Sequence, residues 1–329
     1  MHAVGIIGTG SYLPVRVLTN RELEQRIETT DAWIREKTGI RERRIAAEDE
    51  ATSDLAVQAS REALRNAGVR PSEIDLVLLA TSSPDMIQPP VACMVQGRIG
   101  ASNAAAFDVG AVCSGFVYAL SIAGDLMKGN PRYRRVLVVA AETYSRILDW
   151  TDRNTCVFFG DGASAVVLGR VSGDKGILSS RLYADGLRWD VIRYPAGGTR
   201  HPATHETLAK GLRAFQMDGK AVWRFVEEAF PRAVRDVLAS CGLGIEDVDF
   251  LISHQANAVL IAHCMKILGL PMSKTHLTVD RYGNTSGASV GITLDEAVRL
   301  GKVRDGDRIV LVGFGGGLTS GAVLLKWGP

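Results

Sequence analysis

Cys113 stands where covalent chemistry is feasible. It follows the strand-like stretch Ala105-Ala106-Phe107-Asp108-Val109 and precedes Ser114-Gly115-Phe116-Val117-Tyr118-Ala119-Leu120. The second stretch is apolar on nearly every face, as expected of a helix buried in a core. The spacing therefore puts Cys113 at a strand-to-helix junction, near a helix N-terminus. The positive end of the helix dipole lowers a thiol pKa, so a reactive thiolate is expected there. By residue type alone a cysteine is more often a buried structural residue. Cys93, Cys156, Cys241 and Cys264 are read that way.

Two further polar residues have informative settings. His254 follows the apolar strand Asp249-Phe250-Leu251-Ile252-Ser253 and opens the sequence His254-Gln255-Ala256-Asn257. Strand C-terminal ends are where α/β proteins place ligands, and a hydrogen-bonded core histidine is the plainer reading. His2, His201, His205, His263 and His276 have no comparable setting. Asn284 lies in the small-residue stretch Gly283-Asn284-Thr285-Ser286-Gly287-Ala288-Ser289, which suggests close backbone approach. Helix N-capping is the alternative, and Thr285 or Ser286 serves that equally well. The run Gly313-Phe314-Gly315-Gly316-Gly317 follows the strand at 309–312. It either frees backbone N–H groups for an oxyanion hole with the Cys113 N–H or makes a tight turn.

The elements that position these residues occur twice. Arg61–Gly68 followed by Ile74–Ala80 matches Arg235–Gly242 followed by Val248–Ser253, and Asp75 and Asp249 lie 174 residues apart. Each reads as an amphipathic helix ended by glycine, an acidic turn and a buried apolar strand. Phe107–Gly115 then resembles Val279–Gly287, Arg135–Ala140 resembles Arg308–Gly313, and Gly162–Leu168 resembles Thr319–Leu325. This order implies a duplicated α/β unit, with halves at 1–170 and 171–329, and mixed or parallel sheets covered by helices. Cys113 and Asn284 fall at nearly equivalent places in the two halves, where a shared site is expected. Residues 181–213 and 82–92, rich in glycine or proline, read as loops.

Bulk composition narrows the function classes. The 329 residues are 46% hydrophobic and 22% charged, with a net charge of +2, which gives no reason to expect nucleic acid as a partner. Five irregularly spaced cysteines without a CxxC pair suggest neither a zinc site nor a disulfide framework, and they fit a reducing cytoplasm. The N-terminal residues lack a basic region followed by a long apolar core, so no signal peptide is expected. No apolar run approaches the ~18 residues that span a bilayer. Gly8-Thr9-Gly10-Ser11-Tyr12-Leu13-Pro14 imitates a dinucleotide fingerprint, but Leu13 takes the third glycine position and Pro14 falls inside the required helix.

Asp108-Val109-Gly110-Ala111-Val112-Cys113-Ser114-Gly115-Phe116, His254-Gln255-Ala256-Asn257 and Asp280-Arg281-Tyr282-Gly283-Asn284-Thr285-Ser286 together closely resemble the β-ketoacyl-acyl-carrier-protein synthase III family of the thiolase-like superfamily. Thr29-Thr30-Asp31-Ala32-Trp33, Thr38–Arg43, Phe159–Ala163 and Phe314–Gly317 add to the resemblance, which covers essentially the whole chain. It implies a thiolase-like α/β fold, with duplicated halves in an α-β-α-β-α layering. It also implies an initiating decarboxylating Claisen condensation. An acyl-CoA primer, acetyl-CoA or another short acyl group, would acylate Cys113. Malonyl-acyl carrier protein would then lose CO2, and its carbanion would attack the thioester to give a 3-oxoacyl-carrier protein. A thiolate serves as both nucleophile and leaving group. By the resemblance, His254 and Asn284 donate hydrogen bonds to the enolate-like oxygen, and the Cys113 and Gly316 N–H groups hold the tetrahedral oxyanion. No metal or redox cofactor is implied.

Other positions carry over singly. Trp33 and Arg153 match a pair that sandwiches the CoA adenine, Thr29 matches an adenine contact, and Lys37 stands where an arginine is usual near the CoA phosphates. Gln88 replaces the bulky residue that often lines the primer pocket. Val259 and Ile267 replace basic residues used by some relatives to dock the acidic carrier protein, while Arg224 and Lys266 remain. A cytoplasmic homodimer is expected. A biosynthetic thiolase would carry a second cysteine near Gly315–Leu318, which is missing, and a plant-type polyketide synthase is normally longer. The nearer alternative is a pathway-specific relative that loads an unusual starter or transfers an acyl group in secondary metabolism.

Overall fold

The protein is described by a computed structural model covering residues 3–328; Met1, His2 and Pro329 lie outside the described residues. The chain opens with strand β1 (Val4–Tyr12), then helices α1 (Asp31–Thr38) and α2 (Thr52–Ala67). Strand β2 (Leu76–Ala80), helix α3 (Val91–Ile99), strand β3 (Ala105–Val109) and helix α4 (Gly115–Gly129) follow, and then β4 (Val136–Glu142) and β5 (Gly162–Arg170). The second half brings β6 (Gly176–Ala184), α5 (Gly219–Ala239), β7 (Phe250–Ser253), α6 (Ala258–Leu268) and α7 (Ser289–Arg299). Two adjacent strands, β8 (Arg308–Gly315) and β9 (Thr319–Lys326), end it.

These nine strands make two sheets, in the orders β1-β5-β4-β2-β3 and β6-β9-β8-β7, beside two small two-stranded sheets. The β4–β2 and β8–β7 pairs are parallel, and the β1–β5, β5–β4, β6–β9 and β9–β8 pairs are antiparallel. The two halves therefore share one topology, and β3, parallel to β2, is an addition to the first. Helices α2 and α3 cover the outer face of the first sheet, and α5 and α6 cover the outer face of the second. Helices α4 and α7 lie between the sheets in a shared apolar core. This is the five-layered α-β-α-β-α arrangement that the resemblance implies. Strands β2 and β4 are buried along their whole length, so they read as unbroken apolar runs.

Three sequence expectations need correction. Residues 181–184 are not loop but the end of β6, paired with β9 up to Ala184–Thr319. This strand is an edge of its sheet and half exposed, so it carries polar residues and no apolar signature. Residues 91 and 92 are helical: the N–H groups of Val91 and Ala92 donate to the Asp108 carboxylate, each at 2.8 Å, and start α3 immediately after Pro90. The third concerns the register of the repeat. Val112–Ser114 and Ser286–Ala288 form the same 3₁₀ turn, and Val112 and Ser286, 174 positions apart, both have φ of 46°. The counterpart of Cys113 is thus Gly287. Val279–Tyr282, matched to β3 by sequence, is a short helix because the second sheet has no strand there.

The Gly8–Gly10 segment runs inside β1. A Cβ on Gly10 would meet the Ala63 backbone nitrogen at 2.3 Å, and one on Gly8 would meet Ala67 at 2.6 Å. These glycines let β1 lie directly against α2.

Candidate active site

The turn before α4 presents Cys113 to the seam between the halves. Val112 is held at positive φ, a costly conformation for a β-branched residue and of the kind that gathers at functional sites. The thiol is buried; its Sγ lies 3.4 Å from Ser286 Oγ and also receives hydrogen bonds from the Gly316 and Cys113 backbone N–H groups. A Cβ on Gly315 would stand 2.6 Å from Cys113 Cβ, so the glycine strand end is what admits the Cys113 side chain.

His254 follows β7, and its N–H donates to the Val312 carbonyl at 2.8 Å. Its ring packs edge-on to Phe314, with centroids 5.0 Å apart, and is buried. Ser289 Oγ lies 2.7 Å from Nδ1 and accepts the Gln255 N–H at 3.1 Å. The ring also hydrogen-bonds to the Ser286 backbone, whose carbonyl can only accept; with Nδ1 against Ser289, the ring proton is assigned to Nε2 and the Ser289 hydroxyl donates to Nδ1. Asn284 is fixed by the Phe159–Gly160 loop: its N–H donates to the Phe158 carbonyl at 2.8 Å, and its carbonyl accepts from Gly160 at 3.1 Å. Its Oδ1 accepts the Ser286 N–H at 2.8 Å, so the side-chain NH2 is free to donate. Ser286 thereby touches all three residues, since it also makes a backbone hydrogen bond with His254.

The electrostatics correct the thiolate expectation. Burial pushes the Cys113 thiol up to about 12, and the nearby Glu142 charge adds to this against the hydrogen bonds to sulfur. A helix dipole contributes about 0.3–1 kcal/mol at an exposed end, less than the cost of taking a thiolate out of water. Burial likewise pushes His254 down to about 3, so the imidazole is neutral. The resting pair is thiol and imidazole.

Residues 107–186 match the family described as 3-oxoacyl-[acyl-carrier-protein (ACP)] synthase III, and residues 238–327 match its C-terminal region. A beta-ketoacyl-[acyl-carrier-protein] synthase III of Caldanaerobacter subterraneus subsp. tengcongensis is 50% identical over 325 residues, covering 99% of this chain and 98% of that protein. The chain belongs to the 3-oxoacyl-[acyl-carrier-protein] synthase III family. The crystal structure of such a synthase from Aquifex aeolicus VF5 superposes with a TM-score of 0.91 at 42% identity, covering 98% of this chain and 100% of that one. The priming beta-ketosynthase of the R1128 polyketide biosynthetic pathway gives 0.92 at 36% identity, covering 100% and 97%. The fold is thus the thiolase-like fold, and the chain is a condensing acyltransferase, a beta-ketoacyl-[acyl-carrier-protein] synthase III.

In this synthase III chain the other sequence-selected residues fall into separate groups. The Arg153 guanidinium lies 4.9 Å from the Trp33 ring centroid, and its Nη1 donates to the Glu28 carbonyl at 2.9 Å. Thr29 Oγ1 is buried there without a partner. Lys37 is exposed and pairs with Glu36 at 2.7 Å. Asn257 ties this helix to the His254 segment by donating to the Lys37 carbonyl at 3.0 Å. Arg224 and Lys266 are exposed on α5 and α6. Gln88 is exposed too, outside the residues that line a cavity of about 690 Å³ between the 48–52 and 82–87 segments and Tyr194–Gly198. Of the remaining cysteines, Cys156 and Cys264 are buried, but Cys93 and Cys241 are exposed, because they face out from the start of α3 and from the turn after α5.

Sequence reasoning missed Glu142, Tyr144, Gln255 and Ser289. An acid closing the buried run Val136–Ala141 was the available signal for Glu142. It also passed over His276, buried between Glu296 Oε1 at 2.7 Å and Lys302 Nζ at 2.9 Å. Among the described residues no cluster of three or more His, Cys, Asp or Glu is placed to hold a metal ion, and no helix is long and apolar enough to cross a membrane.

Proposed function

We propose that Cys113, His254 and Asn284 carry the decarboxylating condensation of an acyl-CoA primer with malonyl-acyl carrier protein. The observation that supports this assignment most is the meeting of all three at Ser286, where a nucleophile from one half faces two hydrogen-bond donors from the other. Cys113 takes the acyl group and coenzyme A leaves. The malonyl thioester then binds with its carbonyl oxygen between His254 Nε2–H and the Asn284 amide. Loss of CO2 puts charge on that oxygen, and two neutral donors in a buried site stabilise it without gaining a competing charge. The resulting carbon nucleophile attacks the Cys113 thioester, whose oxyanion takes the Cys113 and Gly316 N–H groups. Carbon dioxide loss and thioester cleavage supply the driving force, so the residues need no metal or redox cofactor.

Trp33 and Arg153, which lie against each other at 4.9 Å, would separate to take the CoA adenine between ring and guanidinium, with Thr29 Oγ1 supplying a polar contact and Lys37 a charge for phosphate. Arg224 and Lys266 would meet the acidic carrier protein. Strand β3 pairs with β2 only, and it carries Phe107, 41% exposed, on an open edge, which favours a homodimer formed there. Gln88 would bear on primer choice from the exposed loop before α3. The reading is of a cytoplasmic enzyme that initiates fatty acid synthesis. The likeness to a polyketide priming ketosynthase favours a second reading, a specialised starter.

A panel of acyl-CoAs of graded length, supplied with malonyl-carrier protein, tests both. Carbon dioxide release and a 3-oxoacyl-carrier product with short primers are expected. Turnover confined to an unusual primer favours the second reading, and no condensation product with any primer would overturn both.

A further inference from the structure

We propose that Ser286 and Glu142 form a relay that removes the Cys113 proton when the acyl group is loaded. Glu142 ends β4 and is wholly buried. Ser286 donates to its Oε1 at 3.2 Å, and the same Ser286 hydroxyl lies within hydrogen-bond reach of the thiol, at 3.4 Å. A hydroxyl with one proton and two lone pairs can accept from the thiol while donating to the carboxylate. Ser286 is held there by backbone at φ of 46°, a conformation a serine adopts only under constraint.

The surroundings of Glu142 are those of an ionised acceptor. Ser83 Oγ donates to Oε2 at 2.6 Å and Ser82 Oγ to Oε1 at 2.9 Å; the Ser82 N–H, Thr81 Oγ1 and the Gly287 N–H also point at it. Its titratable neighbours are Cys113 and Tyr144, and among the described residues no lysine, arginine or histidine pairs with it. Burial raises its pKa, which makes it a better proton acceptor than an exposed carboxylate. The obvious competitor is His254. Its Nε2 already carries the ring proton, and burial holds its pKa far down. The imidazole is therefore suited to donate to substrate, not to accept from the thiol.

The step balances. A bond forms between Cys113 Sγ and the acyl carbonyl carbon as the bond from that carbon to the sulfur of coenzyme A breaks. The thiol proton passes to Ser286 Oγ while the serine proton passes to Glu142. The departing thiolate then recovers a proton by the reverse path, which leaves the carboxylate free. Ser286 touches the reacting atom; Glu142 acts through it as a positioning residue and proton sink.

This relay rests on Cys113 being the acylated residue, and the test separates the two. Single-turnover loading of Cys113 from acetyl-CoA is followed by intact mass from neutral to alkaline pH. If the wild-type chain never carries an acyl group on Cys113, the nucleophile reading itself fails. If it does, Glu142→Gln should load about 100-fold more slowly, the low end of general-base contributions, and should recover as pH rises. Its KM for acetyl-CoA should stay unchanged. Decarboxylation of malonyl-carrier protein by Cys113→Ala should be the same with and without Glu142→Gln. Glu142→Asp should restore part of the loading, and Ser286→Ala, which removes one hydroxyl, should reproduce the loss. Wild-type loading and pH profile in Glu142→Gln or in Ser286→Ala overturns the relay. So does a parallel fall of loading, KM and decarboxylation, which would mark a purely structural role.

Discussion

The turns Val112–Ser114 and Ser286–Ala288 are one structure used for two purposes. Both precede a central helix, and both place a non-glycine residue at φ of 46°. The first then presents Cys113, whereas the second has Gly287, where a Cβ would lie 3.0 Å from the Val112 carbonyl and 3.1 Å from Glu142 Oε1. Two copies of the thiol would not fit. Duplication supplied a symmetric seam, and on the proposed mechanism the halves diverged into one that is acylated and one that supplies hydrogen bonds.

The largest test of this division is Cys113→Ala. Loading from acyl-CoA should fall by at least about 10⁴-fold, as when nucleophiles are removed elsewhere, read by the loss of the acyl adduct in intact mass. Asn284→Ala or His254→Ala strikes the other half. Condensation should drop roughly 10²–10³-fold, the cost of one oxyanion donor, while Cys113 still loads. A variant that lost both steps equally would blur the division.

Gly287→Ala sharpens the comparison from the packing side. The added methyl meets backbone and a buried carboxylate, so a loss of about 1–3 kcal/mol is expected, as for other overpacked sites, read as a lower Tm. The next test uses pH. The folded His254 pKa is near 3 against an ordinary 6.5, so its stability contribution is lost as pH falls from 6.5 toward 3, where only the unfolded chain takes up the proton. Cys113 acts in the opposite direction: its folded value near 12 against 9.0 means stability is lost as pH rises through that window. His254→Asn should flatten the acid limb of Tm against pH and Cys113→Ala the alkaline limb; limbs that do not change would count against these burial effects. The smallest effect concerns β3, the strand that the first large sheet has beyond the second. Phe107→Glu on its open edge should weaken self-association without unfolding the chain, measured by light scattering.

Most of the fold was legible because its buried strands are apolar throughout. Runs such as Leu76–Ala80 and Arg308–Val312 announce themselves, and their repetition gives the duplication. Strand β6 was not legible, because an edge strand need not be apolar. The repeat register slipped by two residues for a related reason. Aspartates 108 and 280 look alike in sequence, but one sits in a strand and the other in a short helix. In the site, Cys113, His254 and Asn284 could be picked from their positions at element ends. Glu142 and Ser289 could not, since an acid or serine gains its meaning from what it faces.

By itself the sequence determined the duplicated α/β plan and the family, and it singled out Cys113, His254 and Asn284 as candidates, because these depend on local pattern and on motif identity. Only the tertiary structure decided the protonation of Cys113 and His254, the choice of Ser286 as their common neighbour and the burial of Glu142 among hydroxyl and N–H donors. Those properties come from burial and from contacts between residues of different elements, and no local pattern encodes them.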